Sequence, residues 1–200
     1  MRNLLAAFGL LITTSALAEP PETGPFGFTQ GMTLADLKKF GTVEQGPQPH
    51  LFKMKTAPKP HSAFEVYSLI LTPNTGLCKV SGIGRDINTN GYGFELKNAF
   101  EKLESILGSK YGPSDKVDRL LSGSIWKDSK DWMMGLKRKE RLLATVWSTK
   151  YGSTLPRDVE AMMLEAKAGS QDMGWVRLEI EFKNFDDCLR QFSAKDDAAL

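Results

Sequence analysis

The pattern of apolar and polar positions is clearest over residues 94–111, where it predicts a helix. Four large apolar residues recur there with the spacing i, i+4, i+7 and i+11: Leu96, Phe100, Leu103 and Leu107. This spacing places all four side chains on one side of a helix, because an α-helix has 3.6 residues per turn. Gly112 and Pro113 follow, and such a pair is typical of a helix C-terminus. The apolar side of this helix needs a surface to cover, and flanking strands would provide it.

Strict alternation of apolar and charged residues predicts strands elsewhere in the chain. Over residues 176–182 the apolar positions are Val176, Leu178, Ile180 and Phe182, and charged residues stand between them. Such alternation is typical of a strand with one buried and one solvated face. Residues 64–87 are β-branched and aromatic around the turn sequence 73–76, which predicts a hairpin.

The remaining patterns complete an antiparallel α+β fold. Thr33 and Asp36 have the spacing of a capping box at the start of a short helix. The other predicted elements are an interrupted or edge strand within 42–63, a strand at 116–121, hairpins at 132–149 and 158–183, and a final helix at 184–192. Strands in antiparallel pairs with few helices predict an antiparallel sheet with two main helices, 33–40 and 94–111, packed on one face. The order of elements hints at a duplicated helix–hairpin unit.

The first 18 residues have the composition of an export signal. Arg2 precedes the apolar run 4–12, and residues 15–18 end in the small-residue pattern that signal peptidase recognises. We therefore expect cleavage between Ala18 and Glu19, and a periplasmic protein. The apolar run is too short for a membrane helix, which needs roughly 20 residues. The alternative, an N-terminal core helix, does not explain this order of charge, apolar run and small residues.

Residues 19–30 are rich in proline and glycine, which predicts an extended leader. A single α+β domain over residues 31–192 follows, and residues 193–200 are small and charged and predict a flexible tail. No apolar run after the signal is long enough to span a membrane, so we expect a protein that does not cross one.

The two cysteines predict one disulfide. Cys78 and Cys188 are the only cysteines, and a single pair in an exported protein is typical of a structural bridge. The alternative is a reactive thiol or a pair of metal ligands, but no C-x-x-C motif or neighbouring histidine accompanies either residue. The formal charge of +2 gives no global attraction to nucleic acid.

The segment Gly31–Gly41 resembles the opening of small exported α+β domains. It reads Gly-Met-Thr, then a short helix, then glycine. The resemblance is to the small outer-membrane assembly lipoproteins and to the repeats of β-lactamase inhibitor proteins. It implies a helix laid on an antiparallel sheet and a role in binding protein. This chain differs by lacking the lipid-attachment cysteine. The later layout is similar to that of uncharacterised exported proteins of Gram-negative bacteria.

Candidate catalytic and metal-binding groups are sparse. His50 and His61, the only histidines, each follow a proline, and without a carboxylate cluster they make a poor metal site. Gly82-Ile83-Gly84 lacks the third glycine of a dinucleotide loop, and no G-x-S-x-G motif is present. We therefore expect no catalytic residue, metal or cofactor.

These observations predict a non-catalytic periplasmic protein that binds another envelope component, in the first place a protein. Aromatic residues anchor interfaces, which makes Tyr92, Trp126 and Trp175 the candidate partner contacts. The basic cluster 137–141 fits either contact with anionic lipid or a solvated turn, and its internal acid favours the turn. Two alternatives remain: an envelope hydrolase with a carboxylate-based site, and an inhibitor of a periplasmic enzyme.

Overall fold

The computed structural model describes residues 23–197, with side chains up to Phe192. The predicted signal peptide, its cleavage site at Ala18 and Glu19, and the last three residues lie outside the described residues. Within them, Phe26 and Phe28 are buried against Tyr67, so the end of the leader packs onto the core.

The described residues form one antiparallel sheet of nine strands, as the α+β prediction requires. The strands are β1 (Glu44–Gln45), β2 (Leu51–Met54), β3 (Phe64–Thr72), β4 (Gly76–Gly84), β5 (Ile87–Asn88), β6 (Asp115–Leu120), β7 (Arg141–Ser148), β8 (Val159–Ala168) and β9 (Met173–Phe182). Their order across the sheet is β1-β2-β3-β4-β9-β8-β7-β6, and β5 pairs with the start of β9. The predicted hairpins 64–87 and 158–183 are confirmed, and the proline-rich segment supplies β1, at the edge of the sheet, and β2 beside it.

This order makes the sheet two meanders joined edge to edge. Strands β1 to β4 follow one another in the first meander, and β6 to β9 do so in the second. The last strand of each, β4 and β9, pair in the middle, with Val80 opposite Ile180. A helix precedes each meander, and in the second meander a further short helix stands between β6 and β7.

Four α-helices accompany the sheet in the described chain. They are α1 (Leu34–Lys38), α2 (Phe94–Tyr111), α3 (Trp132–Lys137) and α4 (Phe185–Asp197). Helix α1 begins with the predicted capping box, in which the Thr33 N–H donates to Asp36 Oδ2 at 3.1 Å and the Asp36 N–H donates to Thr33 Oγ1 at 3.2 Å. Helix α2 has the bounds that the sequence predicts, and Gly112 follows it at a φ of +79°. Helix α4 continues to Asp197, beyond the predicted end at 192.

One hydrophobic core lies between the sheet and the first three helices. The apolar stripe of α2 is buried in it, together with Leu37 of α1 and the apolar side of β9. Glu104 ties α2 to the sheet, because it accepts a hydrogen bond from Thr145 Oγ1 at 2.6 Å and pairs with Lys116 Nζ at 2.6 Å. Burial of a large apolar side chain contributes on the order of 2 kcal/mol before ordering costs.

The disulfide between Cys78 and Cys188 is present and joins β4 to α4. Strand β4 has a bulge there, since Ile70 pairs with Lys79 while Leu71 pairs with Leu77, which leaves Cys78 unpaired. A bulge redirects a side chain, and this one presents the sulfur to α4. Helix α4 lies on the face of the sheet that α2 leaves uncovered, where the Lys79 ammonium stands 5.2 Å from the centre of the Phe185 ring.

The predicted hairpin of residues 132–136 with 142–149 is wrong. Residues 132–137 form α3, and β7 pairs with β6 and β8 instead. Trp132, Met133 and Leu136 are buried, and positions i, i+1 and i+4 share one side of a helix. The segment spans fewer than two turns, too short for its sequence to distinguish this period from that of a strand.

None of the described helices has the length and apolar character needed to cross a membrane.

Candidate functional site

The two faces of the sheet differ in chemistry. Residues of β9 alternate: Val176, Leu178 and Ile180 face the core, while Trp175, Arg177 and Glu179 point the other way and are half-buried. We call this second side the charged face. It arises because the alternation that predicts β9 also occurs in the neighbouring strands. The register of these strands places their polar residues on the same face of the sheet.

Glu165 of β8 organises the charges on this face. It lies opposite Arg177, and Arg177 Nη2 donates to Glu165 Oε2 at 2.7 Å. Lys167 also pairs with Glu165, and Arg177 Nη1 reaches Glu179 at 3.1 Å. The Glu165 side chain is only 8 % exposed, so its two cations offset a desolvation cost that an unpaired carboxylate would incur. The network holds Lys167 and Arg177 in fixed positions.

Beside this network the second meander carries a groove of about 670 Å³, within the range of ligand-binding clefts. We call it the cationic groove. Its apolar lining is Ile83, Leu121, Leu136, Leu142, Ala166, Ala168 and Trp175. Its charged lining is Arg119, Lys137, Lys139, Arg141, Lys167 and Arg177, with Glu140 and Glu165 as the two carboxylates. Six cations against two acids give the groove a positive potential over an apolar floor.

The long connection between β6 and β7 forms one wall of the groove. Helix α3 lies within this connection and ends in two reversed backbone bonds, from Lys139 N–H to Leu136 O at 3.1 Å and from Glu140 N–H to Gly135 O at 2.9 Å. This motif requires a left-handed residue, which is usually glycine. Here Lys139 occupies the position at a φ of +60°. The turn therefore holds a lysine at the groove where the backbone favours glycine.

Exposed apolar side chains lie next to this wall. Leu121, which lines the groove, is 49 % exposed, and Ile125 in the same loop is 76 % exposed. The Leu121 N–H donates to Glu140 O at 2.7 Å, so this loop is fastened to the cationic turn. Apolar and cationic groups thus project together at one end of the sheet.

The structure separates the three aromatic residues that the sequence predicts as partner contacts. Trp175 lines the cationic groove. Tyr92 is 42 % exposed and stacks on Phe94, with 5.4 Å between ring centres, and Trp126 is half-buried near Gly135. In the described chain, neither Tyr92 nor Trp126 is part of the groove lining.

The two histidines have different neighbours. His50 stacks on Phe192 of α4 with 3.8 Å between ring centres, and His61 meets the edge of Phe64 at 5.9 Å. The described residues contain no group of three or more histidine, cysteine or acidic side chains placed to hold a metal ion.

Two carboxylates of β9 stand on the charged face beyond the groove. Lys79 Nζ lies 3.1 Å from Glu179 Oε2 and 3.8 Å from Glu181 Oε2. Desolvation raises the pKa of the Glu181 carboxyl above its usual value, even though Lys79 acts in the opposite direction. These groups pair on the part of the charged face where Phe185 of α4 also lies over Lys79.

Sequence reasoning did not identify most of the groove. Arg119, Leu121, Lys167 and Arg177 all fall in predicted strands, and their sequence carries no sign of a shared site. The available signal was the register of β8 with β9, which the short turn after Ala168 sets and which brings Lys167 opposite Trp175. The basic cluster was identified, but its contact with an apolar floor depends on the path of α3.

Comparison with protein-family models, with curated proteins and with solved structures finds no match. The resemblance of Gly31–Gly41 to exported α+β domains therefore stays a prediction, and the function is argued from the cationic groove itself.

Proposed function

We propose that this is an exported, non-catalytic periplasmic protein that binds another component of the cell envelope through the cationic groove. Export is supported by the N-terminal sequence pattern and by a disulfide, which persists in an oxidising compartment. Binding is supported by a groove of ligand size that combines an apolar floor with convergent cations.

The observation that carries this proposal is the unpaired charge at the groove. Arg119, Lys137 and Lys139 are exposed, and none has an ion-pair partner among the described residues. The other cations of the lining are engaged: Arg141 pairs with Asp118 at 2.5 Å, and Lys167 and Arg177 pair with Glu165. Three free cations beside exposed apolar surface form a site with charge available for an anionic ligand.

An envelope hydrolase is a second candidate, and the raised pKa of Glu181 favours it. A general acid needs such a shift, and Glu179 stands two positions away on the same face. Both carboxylates, however, share Lys79 and lie outside the cationic groove. Glu181→Gln should therefore leave binding at the groove intact, whereas it would abolish a carboxylate-based hydrolysis.

Site-specific photo-crosslinking in living cells tests the binding proposal. A photoreactive amino acid replaces Leu142 on the groove floor, and a matched variant carries it at Lys53 in β2, at the opposite end of the sheet. We expect an adduct from position 142 and none from position 53. Equal adducts from both positions, or none from position 142, would contradict a binding site in the groove.

A further inference from the structure

We infer that the ligand of the cationic groove is an anionic phospholipid of a bilayer facing the periplasm. Its acyl chain would lie on the apolar floor, and its phosphate would meet Lys137, Lys139 and Arg119. This inference deepens the proposed function and rests on it, because it names the class of envelope component that the groove takes.

The distribution of apolar surface favours a lipid. The floor presents Leu142, Ile83 and the Trp175 ring, which fit a hydrocarbon chain. Leu121, which also lines the groove, and Ile125, in the same loop, project into solvent with 49 % and 76 % of their surface exposed. A small hydrophilic anion would not bury these apolar side chains, whereas the apolar layer of a membrane surface would.

The distribution of charge selects an anionic head group. The unpaired cations lie on the wall of the groove and on the edge strand β6, around the apolar floor and not within it. Cationic side chains near a bilayer are attracted to anionic lipids and not to zwitterionic ones. Glu140 also lines the wall, but three free cations outnumber it.

The backbone at Lys139 supplies an independent argument. A non-glycine residue at a φ of +60° is disfavoured by the contact of its Cβ with the backbone. Glycine at this position would relieve that strain and complete the reversed bonds at the end of α3 equally well. A lysine there makes the fold less stable than a glycine would, and such strained positions cluster at binding sites.

Vesicle flotation with the mature protein, residues 19–200, tests the inference. The probes are vesicles of phosphatidylglycerol and vesicles of phosphatidylcholine at physiological ionic strength. We expect binding to the first and little to the second. Lys139→Gly should weaken binding to phosphatidylglycerol about fivefold, the effect of one lysine near an anionic surface, while it raises the urea midpoint of unfolding.

Two further variants complete the design. Lys53→Ala removes a lysine in β2 at the far end of the sheet and should leave vesicle binding unchanged. Ile125→Ser removes an exposed apolar group and should reduce the bound fraction without lowering the midpoint of unfolding. Equal binding to both vesicle types, or equal losses for Lys139→Gly and Lys53→Ala, would overturn the lipid inference.

The outcomes also separate this inference from the proposed function. If position 142 crosslinks to a protein or an acidic peptide and the vesicles do not bind, the groove is a binding site and the lipid inference fails. If position 142 gives no adduct and the vesicles do not bind, both fail.

Discussion

Tyr111 shows how a single buried polar atom affects stability. It ends the apolar side of α2 and is 1 % exposed, and its hydroxyl has no hydrogen-bond partner among the described residues. Burial raises the pKa of this phenol to about 12. On folding, a buried hydroxyl without a partner loses its hydrogen bonds to water and forms none within the protein, which lowers the stability of the fold.

Tyr111→Phe should therefore stabilise the protein. Removal of an unsatisfied buried hydroxyl eliminates its desolvation cost, which should raise the free energy of unfolding by about 1 kcal/mol or more. Urea denaturation followed by tryptophan fluorescence measures the change in the free energy of unfolding. A loss of stability would show that the hydroxyl is bonded in the folded protein.

The same residue predicts a dependence on alkaline pH. The unfolded chain releases the phenolic proton near the ordinary tyrosine pKa of 10.0, whereas the folded chain retains it to about pH 12. The folded state therefore binds more protons in this window, and the free energy of unfolding falls as the pH rises through it. We expect a smaller decline from pH 10 to 12 for Tyr111→Phe than for the wild type. Identical declines would contradict the assigned shift.

At the scale of elements, the strongly periodic segments were predictable and the short ones were not. The stripe of α2 and the alternation of β9 span enough residues to fix their type and their buried faces. Ile106, however, adjoins Leu107 of that stripe in sequence and is 47 % exposed. Helix α3 has too few residues to show a period, and the left-handed Lys139 that ends it has no sequence signal. The groove combines residues from β6, α3, β7, β8 and β9, so it depends on pairings that no single segment reveals.

The start of α2 offers a test of how helices α2 and α3 pack together. Gly93 is the N-cap of α2 at a φ of +71°, and a Cβ there would lie 2.4 Å from the Trp132 ring of α3. Gly93→Ala combines backbone strain with a clash and should cost on the order of 3 kcal/mol. Urea denaturation measures this loss.

Gly152→Ala is the matched control. Gly152 also has a positive φ, +83°, but a Cβ there meets nothing within 4 Å. Strain alone should cost about 1 kcal/mol. Equal losses for the two variants would mean that Trp132 does not pack against the start of α2.

At the scale of the whole molecule, two meanders share one sheet, and one disulfide joins β4 of that sheet to α4. The disulfide spans 110 residues and connects the first meander to the last helix. The duplicated helix–hairpin unit stays a prediction, although a helix precedes each meander. Helix α4 partly covers the charged face of the first meander, whereas the second meander carries the cationic groove on that face.

Removal of the disulfide should destabilise this arrangement. Cys78→Ser with Cys188→Ser frees a loop of that length, and the chain-entropy model gives a loss of up to about 4.7 kcal/mol. Thermal unfolding of the double variant, compared with the oxidised wild type, measures it. An unchanged midpoint, or free thiols in the purified native protein, would contradict a stabilising bridge.

The central claim is our proposal that the cationic groove of the second meander binds an anionic phospholipid. Amide hydrogen exchange with and without phosphatidylglycerol vesicles tests it most directly. We expect slower exchange in the turn 137–140 and the loop 121–126, with β1 and β2 unchanged. Slower exchange confined to the first meander, or none anywhere, would contradict the claim.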